Sequence, residues 1–166
     1  MKRLVGVLFV VFFSLSLQGY AQCKVQSSKG ANGVSFKYLS AEFVGAGIGC
    51  ELGVSFSSNG PNFYFNTQVK YAKNPVKSQG TLMVALKNNQ SLNLKMASSQ
   101  ITGAKNAELV MNVYILTPSD IEKLEKTAID KIVFQEVGGK NQSVNLVKNN
   151  DVAQRQIKCL KEPEKK

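Results

Sequence analysis

Mostly apolar side chains alternate with small or polar ones along much of the chain, and the longest alternation lies between residues 48 and 71. The less polar side chains occupy every second position on both sides of a turn at Asn59 and Gly60. They are Ile48, Cys50, Leu52, Val54 and Phe56 before the turn, and Phe63, Phe65, Thr67, Val69 and Tyr71 after it. Because successive side chains of a strand point to opposite faces, this pattern predicts a β-hairpin with one buried and one hydrated face.

Shorter patterns of the same kind predict further strands over residues 34–38, 82–86, 92–96, 132–134 and 144–147. The run 109–116 is apolar at almost every position, which predicts a central strand that is buried on both faces. We interpret the glycine-rich residues 45–49 as a bend or bulge, because they precede a strand rather than open a helix. Residues 97–106 are expected to form a looser connection.

Two short helices complete the predicted fold. Thr117, Pro118 and Asp120 form a capping pattern that predicts a helix near residues 118–127. Asn150 and Asp151 predict the start of a C-terminal helix. About eight strands in consecutive hairpins indicate a mainly β protein, an antiparallel β-sandwich. The alternatives are an α+β fold with helices packed on one sheet, or a first helix that crosses over between parallel strands.

The first residues have the three parts of a secretory signal peptide. Lys2 and Arg3 precede a 14-residue apolar run, and Gly19 and Ala21 provide a small-residue exit. We expect cleavage after Ala21 and export to the periplasm or the medium, with no integral membrane segment after cleavage, because a spanning helix needs roughly 20 apolar residues. The predicted parts are a signal peptide at 1–21, a lead-in at 22–33, one β-rich domain at 34–160 and a charged tail at 161–166. The alternative of lipid attachment at Cys23 is disfavoured by the large Gln22 before it.

Three cysteines remain after cleavage, in a compartment where disulfides form readily. We expect a Cys23–Cys159 bridge, because the ends of a domain often lie close together. Cys50, on the apolar face of its strand, is expected to be a buried free thiol. The alternative bridges pair Cys50 with either end.

The net charge after cleavage bears on which classes of partner the protein can bind. Without Lys2 and Arg3, the chain has 19 basic and 11 acidic residues, a net charge of +8. This balance leaves a polyanion or lipopolysaccharide binder as one hypothesis. We expect no nucleic-acid partner, because the lysines are scattered and Arg155 is the single arginine after residue 21.

Catalytic chemistry has little support in the sequence. The chain contains no histidine, which removes serine–histidine and cysteine–histidine nucleophiles and most catalytic zinc sites. It has no phosphate-binding loop and no dinucleotide fingerprint, so no cofactor and no metal is expected. The remaining catalytic hypothesis is a hydrolase that uses the carboxylates of Glu42 and Glu51. The balance favours a protein that is not an enzyme.

The best candidate for binding is the hydrated face of the second strand of the hairpin. It presents an aromatic ring among amides and one lysine: Asn62, Tyr64, Asn66, Gln68 and Lys70. The competing interpretation is an ordinary polar sheet face. We expect a monomeric, non-catalytic interaction module of the envelope, with an envelope protein or a glycan as its partner.

The segments 114–124 and 129–134 resemble part of a group of small uncharacterised exported β-rich proteins of Gram-negative bacteria. The resemblance covers the last third of the chain. It implies a strand, a short helix and a strand before a terminal helix, and it implies no activity.

Overall fold

A computed structural model describes residues 23–29, 33–104 and 108–162. In these residues the chain forms ten strands and two helices. The strands are β1 (Gln26–Lys29), β2 (Ser35–Tyr38), β3 (Glu42–Gly47), β4 (Cys50–Ser58), β5 (Phe63–Tyr71), β6 (Ser78–Leu86), β7 (Ser91–Thr102), β8 (Leu109–Leu116), β9 (Ile129–Glu136) and β10 (Asn141–Asn145). The helices are α1 (Pro118–Lys126) and α2 (Val152–Lys161). The predicted signal peptide and the last four residues of the predicted tail lie outside the described residues.

All described strands belong to one antiparallel sheet. Its order is β1-β2-β4-β5-β8-β7-β6-β9-β10, and β3 pairs with β4. β3 and β2 share one edge of β4, β3 along its first half and β2 at Ser57 and Ser58. The prediction of a mainly β, antiparallel fold with two helices is confirmed. The strands of the predicted sandwich are continuous with one another in a single sheet.

This sheet curls until β10 lies beside β3. The amide N–H of Val147, just after β10, donates to the carbonyl oxygen of Val44 in β3 at 2.9 Å. Gly45 makes the close approach possible, because a Cβ atom there would lie 2.4 Å from the carbonyl oxygen of Asn145. Eight of the described strands therefore form a nearly closed ring around the core, and β1 and β2 extend from it.

The ring encloses a core of aliphatic and aromatic side chains from every wall. Phe56 and Phe65 face each other across β4 and β5, with ring centroids 5.0 Å apart in an edge-to-face arrangement. The largest fully buried apolar side chains are Tyr114, Phe56, Phe65, Leu52, Leu82, Leu94, Leu124, Ile129, Ile132 and Ile157. The apolar positions of the predicted hairpin, from Cys50 onward, thus face the inside of the ring.

The first predicted position of that hairpin is a correction. Ile48 lies in the turn between β3 and β4, and it is 81% exposed. The chain reverses at Gly49, whose φ of +76° is a conformation that glycine adopts without strain. The strand therefore begins at Cys50, and the alternation that includes Ile48 continues past the true end of the strand.

Some strands have no alternating signal in the sequence. The segment interpreted as a lead-in contains β1, whose four residues are all exposed. β3 runs into the glycine-rich residues 45–49 that were interpreted as a bend or bulge: the register shifts just before them, between Phe43 and Gly45, and the chain turns at Ile48 and Gly49. β7 continues through Thr102, past a register shift between Met96 and Ser98, where a loose connection was predicted. Backbone pairing with a neighbour holds each of these segments as a strand.

The helices begin where the capping signals predict. The Thr117 hydroxyl accepts from the N–H of Asp120 at 3.2 Å, and the Asp120 carboxylate accepts from the N–H of Thr117 at 2.9 Å. Asp151 is the N-cap residue of α2, but its side chain makes no cap hydrogen bond. The parallel-crossover alternative is wrong, because β8 and β9 are not neighbours and every pairing is antiparallel. α2 packs against α1 and β4.

Candidate functional site

The face that the sequence singles out lies on the outside of the ring. Tyr64, Asn66 and Gln68 are half-buried and Lys70 is exposed, and all four point outward from β5. Asn62 is not part of this row, because it lies in the β4–β5 turn, where its N–H donates to the Asn59 side chain at 3.1 Å. The structure therefore brings together four of the five predicted residues.

Neighbouring side chains hold Tyr64 and Asn66 of this row in place. The Asn66 amide donates to the hydroxyl of Ser57 on β4 at 3.0 Å. The Tyr64 hydroxyl accepts from the Asn59 amide at 3.2 Å, and its ring lies 6.2 Å from that of Phe36 on β2. A surface whose side chains are already ordered loses less conformational entropy when it binds.

An apolar stripe continues this surface on β8. In the register of β5 and β8, Tyr64 lies opposite Ile115, Asn66 opposite Val113 and Gln68 opposite Met111. Because residues that are opposite in register share a face, these apolar side chains also point outward. We call these six residues the outer β5–β8 surface.

The exposure of this stripe corrects the prediction that β8 is buried on both faces. The inner residues Val110, Tyr114 and Leu116 are buried, but Met111 and Val113 are only half-buried, and Ile115 is 43% exposed. The apolar run was the correct signal for a central strand. Its outer face is accessible, and α2 packs mainly against β4 and α1 rather than against this strand.

Chemically, the outer β5–β8 surface can bind but has little to react with. It offers amide donors and acceptors, one phenol ring and three aliphatic or thioether side chains. Lys70 at its edge lies directly across from Glu51 of β4. An apolar centre with a polar margin is the usual composition of a recognition surface.

The proposed carboxylate pair is not assembled. Glu42 lies opposite Val54 in the register and shares the face of that residue, whereas Glu51 lies on the outer face of β4. Both oxygens of Glu42 accept from Arg155, at 3.0 and 2.8 Å, and one also accepts from Gln156 at 2.9 Å. The hydrogen bonds from Arg155 are the main reason why the pKa of Glu42 is lowered. Glu42 therefore serves an ion pair.

Polar side chains also meet inside the ring. The Asn112 amide donates to the Thr67 hydroxyl at 3.0 Å, both side chains being buried. Burial raises the pKa of Tyr114 to about 12, and the nearby Thr67 and Ser78 act in the opposite direction. Even so, the Tyr114 and Ser78 hydroxyls make no hydrogen bond of good geometry. Sequence reasoning missed this group because its members are spread over three strands, β5, β6 and β8.

The cysteines pair as expected. Cys23 and Cys159 form a disulfide with their Cα atoms 5.5 Å apart, and it joins the start of the described chain to α2. Cys50 is a buried free thiol, and burial is the main cause that raises its pKa. A thiol that stays protonated is a weak nucleophile.

No protein-family model, no curated protein and no solved structure matches this chain.

Other candidate sites are weak in the part of the chain that the structure covers. There, no three cysteine or acidic side chains come together as a metal site. A shallow depression of about 410 Å³ lies between α1 and α2, but its lining is mostly charged and contains the Lys161–Glu125 ion pair. Across residues 23–29, 33–104 and 108–162, no helix has the length and apolar character needed to cross a membrane. The outer β5–β8 surface remains the best-formed candidate.

Proposed function

We propose that this protein is an exported, non-catalytic β-domain of the bacterial envelope, and that it binds a partner protein through the outer β5–β8 surface. The observation that carries the proposal is the uncovered apolar stripe of Met111, Val113 and Ile115 beside the ordered Tyr64 and Asn66. Contiguous apolar side chains on an outer surface commonly mark interaction sites, whereas isolated ones do not.

Export is supported by the basic and apolar N-terminal pattern and by the disulfide. Disulfides such as Cys23–Cys159 persist in oxidising compartments and are rare in the bacterial cytosol. The disulfide is thus compatible with a location outside the cytoplasm. We place the protein in the periplasm or the medium, with the signal peptide removed after Ala21.

A protein partner fits the surface better than a glycan. The stripe is aliphatic and linear, and it follows a strand for three outward positions. Aliphatic side chains pack well against apolar side chains of another protein, whereas sugar-binding surfaces rely on aromatic platforms. The chain has no tryptophan, and the outer β5–β8 surface offers Tyr64 as its one ring.

A comparison of surface variants tests this proposal. Ile115→Lys and Val113→Lys place a charge in the stripe, while Met83→Lys places one at an exposed position on β6, away from it. After cross-linking in native envelope fractions, we expect one set of proteins to be captured by the unmodified protein and by Met83→Lys. The same set should be lost or reduced at least about tenfold with the two stripe variants, since a buried lysine charge is costly.

Capture of the same proteins by all four forms would contradict the proposal. If the protein bound to a glycan array, and Tyr64→Ala abolished that binding while Ile115→Lys preserved it, the ligand would be a sugar and not a protein. Hydrolysis of any substrate that is lost in Glu51→Gln would restore the catalytic alternative.

A further inference from the structure

Three connections meet at one end of the ring, where β7 also ends and β8 begins: β3–β4, β5–β6 and β9–β10. Hydrogen bonds join all three. The N–H of Ala72 donates to the carbonyl oxygen of Gly49 at 2.9 Å, and the N–H of Val137 donates to that of Lys77 at 2.8 Å. The Gln142 amide donates to the carbonyl oxygen of Ile48 at 3.4 Å. We call this end of the ring the turn end.

Apolar side chains project from the turn end into solvent. Ile48 is 81% exposed in the β3–β4 turn, and Val137 is 55% exposed in the β9–β10 turn. Ile101, at the end of β7, is 40% exposed. Gly49 and Gly138, each next to one of the tips, have φ angles of +76° and +104°. The tips therefore stand on tight turns that are supported by the ring.

Lysines surround these tips. Lys70 and Lys73 lie at the end of β5, Lys77 precedes β6, and Lys140 precedes β10, and all four are exposed. The described acidic side chains at this end are fewer: Glu51 is exposed across from Lys70, Glu108 is half-buried and Glu136 is buried. The exposed charge at the turn end is therefore positive.

We infer that the turn end docks on an anionic lipid surface. Ile48 and Val137 enter the interface between headgroups and acyl chains, and the lysines lie at the level of the phosphates. Each basic side chain near an anionic membrane contributes about 1 kcal/mol, which corresponds to about a fivefold change in binding. A dissolved polyanion would attract the lysines but would leave the apolar tips in water, so the combination favours a lipid surface.

This inference concerns a different part of the molecule from the proposed function. The outer β5–β8 surface lies on the side wall of the ring, and the turn end lies at its end. Lys70 belongs to the turn end and also lies at the edge of the outer β5–β8 surface. A protein docked by its turn end therefore keeps the stripe on β8 accessible to a partner.

Vesicle flotation of the purified protein tests the inference, with its intact mass recorded so that the state of residues 1–21 is known. We expect binding to vesicles of phosphatidylglycerol and phosphatidylethanolamine and none to phosphatidylcholine alone. The Ile48→Ser/Val137→Ser double variant should bind about tenfold or more weakly, because it loses buried apolar area. Val147→Ser is the matched control, since Val147 is 73% exposed after β10, towards the other end of the ring.

A second pair of variants tests the charge. Lys77→Glu/Lys140→Glu should lower binding at least about twentyfold, whereas Lys87→Glu, in the β6–β7 turn at the opposite end, should change it little. Binding should also weaken as salt is raised, because exposed charges are screened.

Three results would overturn the inference: absence of binding to the anionic vesicles, equal binding to neutral vesicles, or unchanged binding by the apolar-tip variant. A protein that binds heparin and depends on the lysines but not on Ile48 and Val137 would be a polyanion binder. Far-UV circular dichroism of each variant checks that its fold is intact.

Discussion

The Glu42 carboxylate joins β3 to α2. Glu42 starts β3, it receives two hydrogen bonds from Arg155 of α2, and Gln156 next to that arginine donates a third. Arg155 in turn donates to Asp151, at the start of the same helix, at 3.0 Å. This network fixes α2 against β3. The sequence had indicated Glu42 as a catalytic candidate, but its carboxylate has this structural role.

Glu42 should make stability depend on pH in the acid range. Its pKa lies below the ordinary value of 4.5, mainly because Arg155 hydrogen-bonds to the charged form. Below pH 4.5 the unfolded chain takes up this proton first, so stability is lost as the pH falls through the folded pKa. We expect Glu42→Gln to cost about 1–2 kcal/mol at pH 7, measured by urea unfolding.

The difference between Glu42→Gln and the unmodified protein should shrink as the pH falls from 4.5 through the lower folded pKa of Glu42, below which both proteins carry a neutral side chain at this position. A difference that stays constant down to pH about 2 would show that the ion pair does not contribute as described.

Gln156 should be more sensitive to substitution than a glutamine in a short surface helix usually is. Its side chain is buried, and its oxygen accepts from the N–H of Phe56 at 2.9 Å in the gap that β2 and β3 leave on the edge of β4. Its amide also donates to the carbonyl oxygen of Ser40 at 3.1 Å. Gln156→Leu leaves the buried N–H of Phe56 unpaired and removes the hydrogen bonds to Ser40 and Glu42, so we expect a loss of about 2–4 kcal/mol in the free energy of unfolding.

The matched control for that change is Gln154→Leu, on the same helix, where the side chain is half-buried. It should cost less than about 1 kcal/mol, as surface changes usually do. Equal losses in the two variants would indicate that only helix propensity was altered.

Neither role can be derived from local sequence. Arg155 lies 113 positions from Glu42, and Gln156 lies 100 positions from Phe56. A carboxylate that follows an alternating pattern looks the same whether it will face water, substrate or an arginine. The sequence can therefore identify Glu42 as an unusual acid but not its partner.

At the level of elements, closure of the ring rests on the approach of β3 to β10. Gly45→Ala would place a Cβ atom 2.4 Å from the Asn145 carbonyl oxygen, so one of the two segments must move. We expect a loss of about 1–3 kcal/mol, the usual range for overpacking. In hydrogen exchange, the amide of Val147, which donates across the closure, should lose protection.

Gly53→Ala provides the control for this change. Gly53 lies on β4, and a Cβ atom there would meet its nearest neighbour, the Ala41 side chain, at 3.5 Å, an ordinary contact. Stability should change little there. If both variants lose the same stability, the closure is not the cause.

Elements with a strong local pattern were predicted well. The predicted bounds of β5 and β8 match the structure, and α1 begins after the Thr117 cap as expected. β1 and β3 were missed because small and polar side chains give no alternation, and their pairing partners supply the order. The outward exposure of β8 was also missed, because a row of apolar side chains does not tell which faces other elements will cover.

At the level of the whole molecule, the disulfide closes nearly the entire described chain. Cys23 and Cys159 are 136 positions apart. In the chain-entropy model, a loop of this length stabilises the fold by on the order of 4–5 kcal/mol, as an upper estimate. We expect a reducing agent to lower the urea midpoint of the unmodified protein and to leave that of a Cys23→Ser/Cys159→Ser variant unchanged.

Thiol titration provides the second readout. Cys50 is buried, so the native protein should show no reactive thiol, and the protein unfolded without reductant should show one. Two or more thiols in the non-reduced, unfolded protein would contradict the Cys23–Cys159 pairing.

The sequence by itself determined most of the strand pattern and the helix starts, because each depends on periodicity or on residue types within a few positions. Tertiary structure alone decided which strands are neighbours, that β10 reaches β3, that Glu42 meets Arg155, which of the three cysteines pair, and that the outer face of β8 stays open. These features depend on contacts between residues far apart in the chain. Such contacts form only when the whole sheet has curled, and no local pattern of side chains encodes the path it takes.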